Sequence, residues 1–255
     1  MKITFLGTGT SQGVPVIACE CSTCKSIDFR DKRLRSSLLV ETDGVTFIID
    51  AGPDFRQQLL RADVTSLDAI LLTHEHKDHI AGLDDVRAFN HKSRSAIDIY
   101  SEVRVQQAIH KEYSYVFAEV KYPGVPNMRL CTVSDDVFSV GGVEIQPVRV
   151  LHWHLPVYGF RVGDFAYITD ANSIPGESMR RLAGVKYFVV NAVRKEKHVS
   201  HFCLSEAIGL ISELSPEKAF ITHISHEMGR HADVSRELPD GVCLAFDGLS
   251  VLIDK

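Results

Sequence analysis

Apolar residues along this chain gather into short runs closed by turn-forming residues, the pattern of strands, and these runs alternate with stretches of helical length. Lys2–Leu6 alternates and reads as a strand that enters a glycine-rich loop, Gly7-Thr8-Gly9-Thr10-Ser11-Gln12-Gly13. Ser37–Glu41 and Val45–Asp50 read as a hairpin around Thr42-Asp43-Gly44. A helix is predicted over Asp54–Ala62, a strand over Ala69–Thr73, a helical piece near Asp84–Asn90, a strand over Ile97–Ser101 and a helix over Glu102–Glu112. Residues 132–170 read as β: Val137–Val140, Val143–Leu151, Tyr158–Val162 and Phe165–Thr169, with turns at Gly141-Gly142 and Gly163-Asp164. Helices near Pro175–Ala183 and Ser205–Leu214 follow, with strands at Tyr187–Ala192, Lys218–Thr222, Val242–Ala245 and Leu249–Ile253.

The pattern repeats itself. Ile48-Ile49-Asp50-Ala51-Gly52, a helix and Leu71-Leu72-Thr73-His74 are answered by Tyr167-Ile168-Thr169-Asp170-Ala171, a helix and, at length, Ile221-Thr222-His223. This echo supports one α/β domain over residues 1–255, made of two similar halves. A chain of this length can bury roughly 70–75% of its unfolded surface in one core. Tyr113, Tyr115, Phe117 and Tyr122 interrupt the pattern before Pro123 and Pro126; ordinary packing is their expected role, with a lid or a dimer contact as the alternative.

Composition narrows the class. The chain is 45% hydrophobic and 24% charged with a formal net charge of −5, so it is no general polyanion binder. No apolar run approaches the roughly 18 residues of a membrane span, and the first residues lack a signal-peptide core, so a cytoplasmic location is expected. Cys131, Cys203 and Cys243 are scattered in apolar contexts and are expected to pack as small hydrophobes. Cys19, Cys21 and Cys24 crowd together among Ser22, Thr23 and Lys25, three thiolates that suit tetrahedral zinc and need a fourth ligand from elsewhere. The glycine-rich loop lacks the Lys-Ser/Thr ending of a phosphate-binding loop; a tight turn or close backbone approach to a neighbouring site explains it.

The strongest chemical signal is Leu71–His79. His74, Glu75, His76, Asp78 and His79 follow directly on an apolar run, and imidazole and carboxylate are ligands for zinc and similar metals. Packing alone does not explain H-x-H-x-D-H. Here the chain resembles the metallo-β-lactamase superfamily, whose signature matches Thr73-His74-Glu75-His76-Lys77-Asp78-His79. Asp50, Asp170 and Thr222-His223 extend the resemblance over almost the whole chain. It is similar in particular to the PhnP-like branch, that of phosphoribosyl cyclic phosphodiesterase, which joins this motif to C-x-C-x-x-C near the N-terminus and T-H-I-S-H near the C-terminus, here Thr222-His223-Ile224-Ser225-His226.

The resemblance implies an αββα four-layer sandwich: two mixed sheets flanked by helices, with a dinuclear site at one edge. His74, His76 and His152 would hold one divalent metal, Asp78, His79 and His223 the other, and Asp170 would bridge them. His152 is preferred over His154, which could instead face substrate. Asp50 would orient a ligand histidine. His226 would complete a structural zinc site with Cys19, Cys21 and Cys24. His201 would contact phosphate or protonate the leaving oxygen, with His198 the lesser candidate, and Asp78 joins His201 as a catalytic residue.

The implied reaction is hydrolysis of a small cyclic or ribose-linked phosphodiester by a metal-bridging hydroxide, with zinc or manganese as the active metals. Two ions roughly 3.5–4 Å apart lower the pKa of such a water to about 7 and neutralise charge on the phosphoryl group. Local metal charge would let an acidic protein handle an anion. Arg33, Arg35, Arg56 and Arg87 could assist, though surface salt bridging is the expected role of each. The alternatives are a tRNA 3′-processing-type endonuclease, whose basic RNA-grasping arm is missing from the sequence, a thioester or lactam hydrolase, and a non-catalytic metal-stabilised binding module. The expected partner is a small-molecule phosphodiester, with a homodimer as a further option.

Overall fold

Strands form where the apolar runs predict them, with one addition. A computed structural model of the chain describes residues 1–254. The first sheet takes β1 (Lys2–Gly7), β2 (Ser37–Thr42), β3 (Val45–Ile49), β4 (Ala69–Leu71), β5 (Ile97–Ser101) and β6 (Met128–Thr132). The second takes β7 (Phe138–Val140), β8 (Val143–His152), β9 (Leu155–Val162), β10 (Phe165–Tyr167), β11 (Tyr187–Asn191), β12 (Lys218–Thr222) and β13 (Val242–Leu244). The chain then returns to the first sheet as β14 (Ser250–Leu252), beside β1.

Both sheets have seven strands and one design. Pairing is antiparallel along β14-β1-β2-β3 and parallel along β3-β4-β5-β6. It is likewise antiparallel along β7-β8-β9-β10 and parallel along β10-β11-β12-β13. β3 and β10 therefore hold equivalent places, and Asp50 and Asp170, just beyond them, both turn the chain through left-handed backbone at φ 66° and 54°. The second half of the predicted echo is displaced by one strand. By position β4 answers to β11, and β12, which carries His223, answers to β5, because two helices intervene between β10 and β12.

Alternation along the strands explains the layers. Ile3, Phe5, Phe47 and Ile49 point between the sheets, where they meet Tyr158, Phe160, Phe165, Tyr167 and Phe220. The intervening Ile48, with Ile70 and Ile99, faces outward onto α1 (Phe55–Arg61), α3 (Arg87–Ser93) and α4 (Val103–Glu112) through Phe55, Leu59, Phe89, Val105 and Ile109. The second sheet covers its outer face likewise: Phe188, Val190 and Ile221 pack on Leu182 of α5 (Gly176–Leu182) and Ala207 and Ile211 of α6 (Leu204–Leu214). Each such side chain contributes roughly 1.5–3 kcal/mol by burial. The short α2 (Lys77–Ile80) and α7 (His231–Val234) complete the helices.

Several expectations are corrected. β6 was hidden by its mixed polarity, Met128 buried and Arg129 exposed, just after Pro126. β9 starts at Leu155 rather than Tyr158, because His152 pairs directly with Leu155 across a two-residue turn. The predicted helix at Asp84–Asn90 divides into a 3-10 turn, Leu83–Val86, and α3. Tyr113 packs as expected, its hydroxyl donating to Ile80 O at 2.8 Å, whereas Tyr122 is exposed. Of the scattered cysteines only Cys203 is buried; Cys243 is exposed because its side chain leaves the outer strand β13 toward solvent. Gly7 is a close-approach glycine, since a Cβ there would lie 1.9 Å from Arg35 O, but it meets backbone and not the site. No helix among the described residues is long and apolar enough to cross a membrane.

Candidate metal centre

The side chains singled out in the sequence leave strand ends at one rim of the sandwich. β4 stops at Leu71, the chain bends at Thr73 and runs without regular structure to His76, and α2 then turns Asp78 and His79 back inward. β8 ends on His152, Asp170 follows β10, and His223 follows β12. His201 sits in the loop before α6. Ligand atoms fall into overlapping groups, each within 4.8 Å: His74, His76 and His152; Asp78, His79, Asp170 and His223; and His152, Asp170 and His201.

The hydrogen bonds behind these residues decide which nitrogens face inward. Asp50, wholly buried, accepts from the Thr73 backbone N–H at 2.9 Å and from the Thr73 hydroxyl. It also accepts a hydrogen bond from His79 Nδ1–H at 2.7 Å. With its hydroxyl proton given to Asp50, Thr73 Oγ1 accepts from His74 Nδ1 at 2.9 Å. His152 Nδ1 donates to Ser200 O at 2.8 Å. Nε2 of His74, His79 and His152 is thereby left facing inward, the nitrogen each ring would offer a metal once that position has no proton.

Those nitrogens meet other acceptors. His79 Nε2 lies 3.2 Å from Asp78 Oδ2 and 3.2 Å from Asp170 Oδ2, yet it is buried with no hydrogen-bond partner. His74 Nε2 faces His76 Nδ1 at 2.9 Å, and Asp170 Oδ2 is 3.3 Å from His223 Nδ1, which Ser36 Oγ also touches at 3.1 Å. Lone pairs and carboxylate oxygens converging away from water need positive charge among them. Divalent cations fit this donor set, and two groups sharing Asp170 fit a pair of them.

The titration pattern follows the same crowding. Burial, and then the His79 charge, push His74 well below the usual histidine range. Burial also lowers His76 and His223. Burial opposes charge on His79, but Asp50, Asp170 and Asp78 together raise it well above its ordinary value. Burial would raise Asp78 and Asp170; neighbouring histidines, His79 for the first and His223 for the second, outweigh it and hold both carboxyls low. His201 sits between the groups, its ring 4.6 Å from that of His152 and 4.9 Å from that of His223. Burial, then His223, lower its pKa to about 3, and its Nδ1 has no partner. His198 stands behind it, ring to ring at 5.0 Å. His154 is exposed, its ring 4.4 Å from that of Trp153, and it is His152 that falls within the group.

The second predicted set also assembles. Cys19 Sγ and Cys21 Sγ lie 3.3 and 3.4 Å from His226 Nδ1, and Cys24 completes a four-ligand group. The Cys24 N–H, donating to Cys21 Sγ, is the main cause that lowers the Cys21 thiol to about 6. Burial raises Cys24 to about 11. An S₃N set suits tetrahedral zinc, and its thiols must lose their protons to bind it.

The arginine expectation fails at one position. Arg33 is buried, donating to Thr8 Oγ1 at 2.8 Å, Ala245 O at 2.6 Å and His231 Nδ1 at 3.2 Å, a structural strut rather than a surface pair. Arg35 pairs with Asp54 and Arg87 with Asp84, as expected of surface charges. Glu75, named in the sequence with the ligand-type residues of the motif, stands outside the ligand groups: it forms an ion pair with Arg104 of α4, whose other nitrogen donates to Pro156 O at 2.7 Å and so ties α4 to β9 beside the site. One residue escaped sequence reasoning: Trp153, beyond His152.

Comparison with known proteins gives this geometry its context. Residues 46–224 match the family model described as the beta-lactamase superfamily domain. A diphosphatase of the PhnP family is 36% identical, with a TM-score of 0.92 covering 99% of this chain and 98% of that one. An octanoyltransferase of Porphyromonas gingivalis is 39% identical over 258 residues; the match takes in 100% of this chain and 52% of that protein, so the chain spans about half its length. Zinc-bound PqqB of Methylobacterium extorquens shares the fold at 19% identity and a TM-score of 0.79, covering 99% and 100% of the two chains.

Proposed function

Because the chain belongs to the beta-lactamase superfamily, in its PhnP-like branch, we propose that its metal centre hydrolyses a small cyclic or ribose-linked phosphodiester. The observation that carries this reading is the overlap of three ligand groups, His74, His76 and His152; Asp78, His79, Asp170 and His223; and His152, Asp170 and His201, the last linking the other two through His152 and Asp170, with His201 Nδ1 lacking a hydrogen-bond partner. His74, His76 and His152 would hold one ion, Asp78, His79 and His223 the other, and Asp170 both. When bound, two zinc- or manganese-type ions acidify a water and offset charge on the phosphoryl oxygens.

The rest falls to the chain. Asp50 fixes the His79 ring, and Thr73 fixes the His74 ring, so little reorganisation accompanies binding. Asp78 Oδ2 can take up the proton released by the attacking water. His201, whose buried Nδ1 has no hydrogen-bond partner, can reach a phosphoryl or leaving oxygen. The Cys19, Cys21, Cys24 and His226 set would hold structural zinc, pinning the N-terminal loop beside the strand end that carries His223.

A phosphoanhydride is the second reading, favoured by the 36%-identical diphosphatase. Both reactions place water on phosphorus and expel an anion. The test uses metal-loaded protein with a chromogenic phosphodiester, a small cyclic phosphodiester, a nucleoside diphosphate ester and, as an outside arm, an octanoyl thioester. Turnover of a phosphodiester that is lost in His76→Ala supports the proposal; turnover of the diphosphate alone selects the second reading. Inert wild-type protein, or an equally active variant, contradicts both.

A further inference from the structure

We propose that Trp153 is the specificity-determining platform of this site, stacking a planar aromatic ring carried by the substrate, so that preferred substrates are small phosphoesters bearing a nucleobase or similar ring. This deepens the phosphohydrolase reading above and rests on it. The β8–β9 register pairs His152 with Leu155, which makes Trp153 and His154 the whole of the turn. Trp153 is thus the next residue after a member of the His74, His76, His152 group.

Its backbone is left-handed, φ 56°, at a turn position that glycine, asparagine or aspartate normally fills. Strain of this kind gathers at functional sites. Of the nine non-glycine residues with this conformation among the described residues, Asp50, Asp170 and His223 lie, like Trp153, at this rim, and the other five lie in turns and loops elsewhere. The side chain gains little from packing in return. It is the chain's single tryptophan, 58% exposed. Among the described residues its one ring contact is His154, with centroids 4.4 Å apart, and no group pairs with the indole N–H.

The mount, by contrast, is firm. Trp153 N–H donates to Asn172 Oδ1 at 2.7 Å, Asn172 N–H to Leu151 O at 2.9 Å, and Asn172 Nδ2 to Val199 O at 3.2 Å. Those bonds tie the turn to the loop that follows Asp170 and to the loop that carries His198 and His201. The backbone that carries this large flat apolar surface is fixed at the rim of a centre suited to phosphate. Anchoring a substrate by its phosphate leaves an attached ring free to cover that indole, and base–aromatic stacking discriminates by ring presence rather than by hydrogen-bond pattern.

The single tryptophan supplies its own reporter. Metal-loaded, full-length protein is titrated with AMP and, separately, with ribose 5-phosphate while indole emission is followed. Saturable quenching by AMP and a much smaller response to ribose 5-phosphate is expected; equal responses, or emission that changes with protein concentration alone, overturn the platform. In turnover, the ratio of kcat/KM for 2′,3′-cyclic AMP over glycerol 1,2-cyclic phosphate is expected to fall about tenfold in Trp153→Ala and to recover largely in Trp153→Phe. An unchanged ratio overturns the inference. If neither cyclic ester is cleaved, the phosphodiesterase reading fails, and the emission arm still decides whether Trp153 stacks a ring. Trp153→Gly separates the role from packing: its melting temperature should rise as the selectivity falls, where a packing residue would lower it.

Discussion

The two ligand groups are built in opposite ways. The centre around Asp170 draws its residues from the ends of five strands or their loops, buries His74, His79, Asp170 and His223, and fixes rings through Asp50, Thr73, Ser36 and Ser200. The Cys19, Cys21, Cys24 and His226 set takes three of four ligands from one loop with no regular structure, and two of those sulfurs are half-exposed. The first is organised by the fold; the second would organise part of the fold itself, as structural zinc does. Preorganisation belongs to chemistry, and a metal staple belongs to a loop too polar to bury itself.

That contrast can be broken from either side. The largest effect is expected in Asp170→Asn, which removes the carboxylate at the middle of the strand-end centre: phosphohydrolase activity should fall by roughly 10³-fold or more while the melting temperature changes little. Steady-state kinetics beside thermal denaturation checks this. The reverse outcome is expected in Cys24→Ser: one metal fewer per chain and a stability loss on the order of 3 kcal/mol, with hydrogen exchange rising over the Cys loop but not over His74–His79. Exchange that rises equally in both regions would erase the distinction.

Asp50→Asn is expected to have a smaller effect. It keeps the shape but weakens the bond that orients His79, and should cost about 10–100-fold in metal affinity or activity. Measured metal dissociation constants test this, and wild-type affinity would show that the carboxylate does not orient the ligand.

Acid should also act through His231, outside both ligand groups. His231 accepts a hydrogen bond from buried Arg33, and burial, then Arg33, lower its pKa to about 4. Between about pH 6.5 and 4 the unfolded chain therefore binds a proton that the folded chain refuses, so stability falls as pH falls through that window. The loss should be about 1 kcal/mol after solvent screening, removed in His231→Gln, and read as the urea midpoint against pH.

How much of this was legible follows from what each feature depends on. Strand alternation and the H-x-H-x-D-H spacing are local, so the sheets, the Leu71–His79 motif and the Cys cluster could be read directly. The family resemblance joined Asp170, His152, His223 and His226 to them, and the structure sets His152 beside His74 and His76, Asp170 and His223 beside Asp78 and His79, and His226 beside the three cysteines. What depended on pairing was read less well. The echo between β4 and β12 was displaced because strand order, not sequence order, defines equivalence. β9 was started late because a two-residue turn without glycine gives no turn signal, and the same gap hid Trp153. Arg33 looked like a surface charge because its acceptors, Ala245 O and His231, lie more than two hundred or nearly two hundred positions away.

The central claim is a two-ion centre plus one separate staple, and metal counting by elemental analysis tests it most directly. Fully loaded protein should hold about three metals per chain, Cys24→Ser about two with phosphohydrolase activity retained, and Asp170→Asn fewer at the strand-end centre with activity lost. One metal per chain in fully active wild-type protein, or full activity in Asp170→Asn, would contradict it.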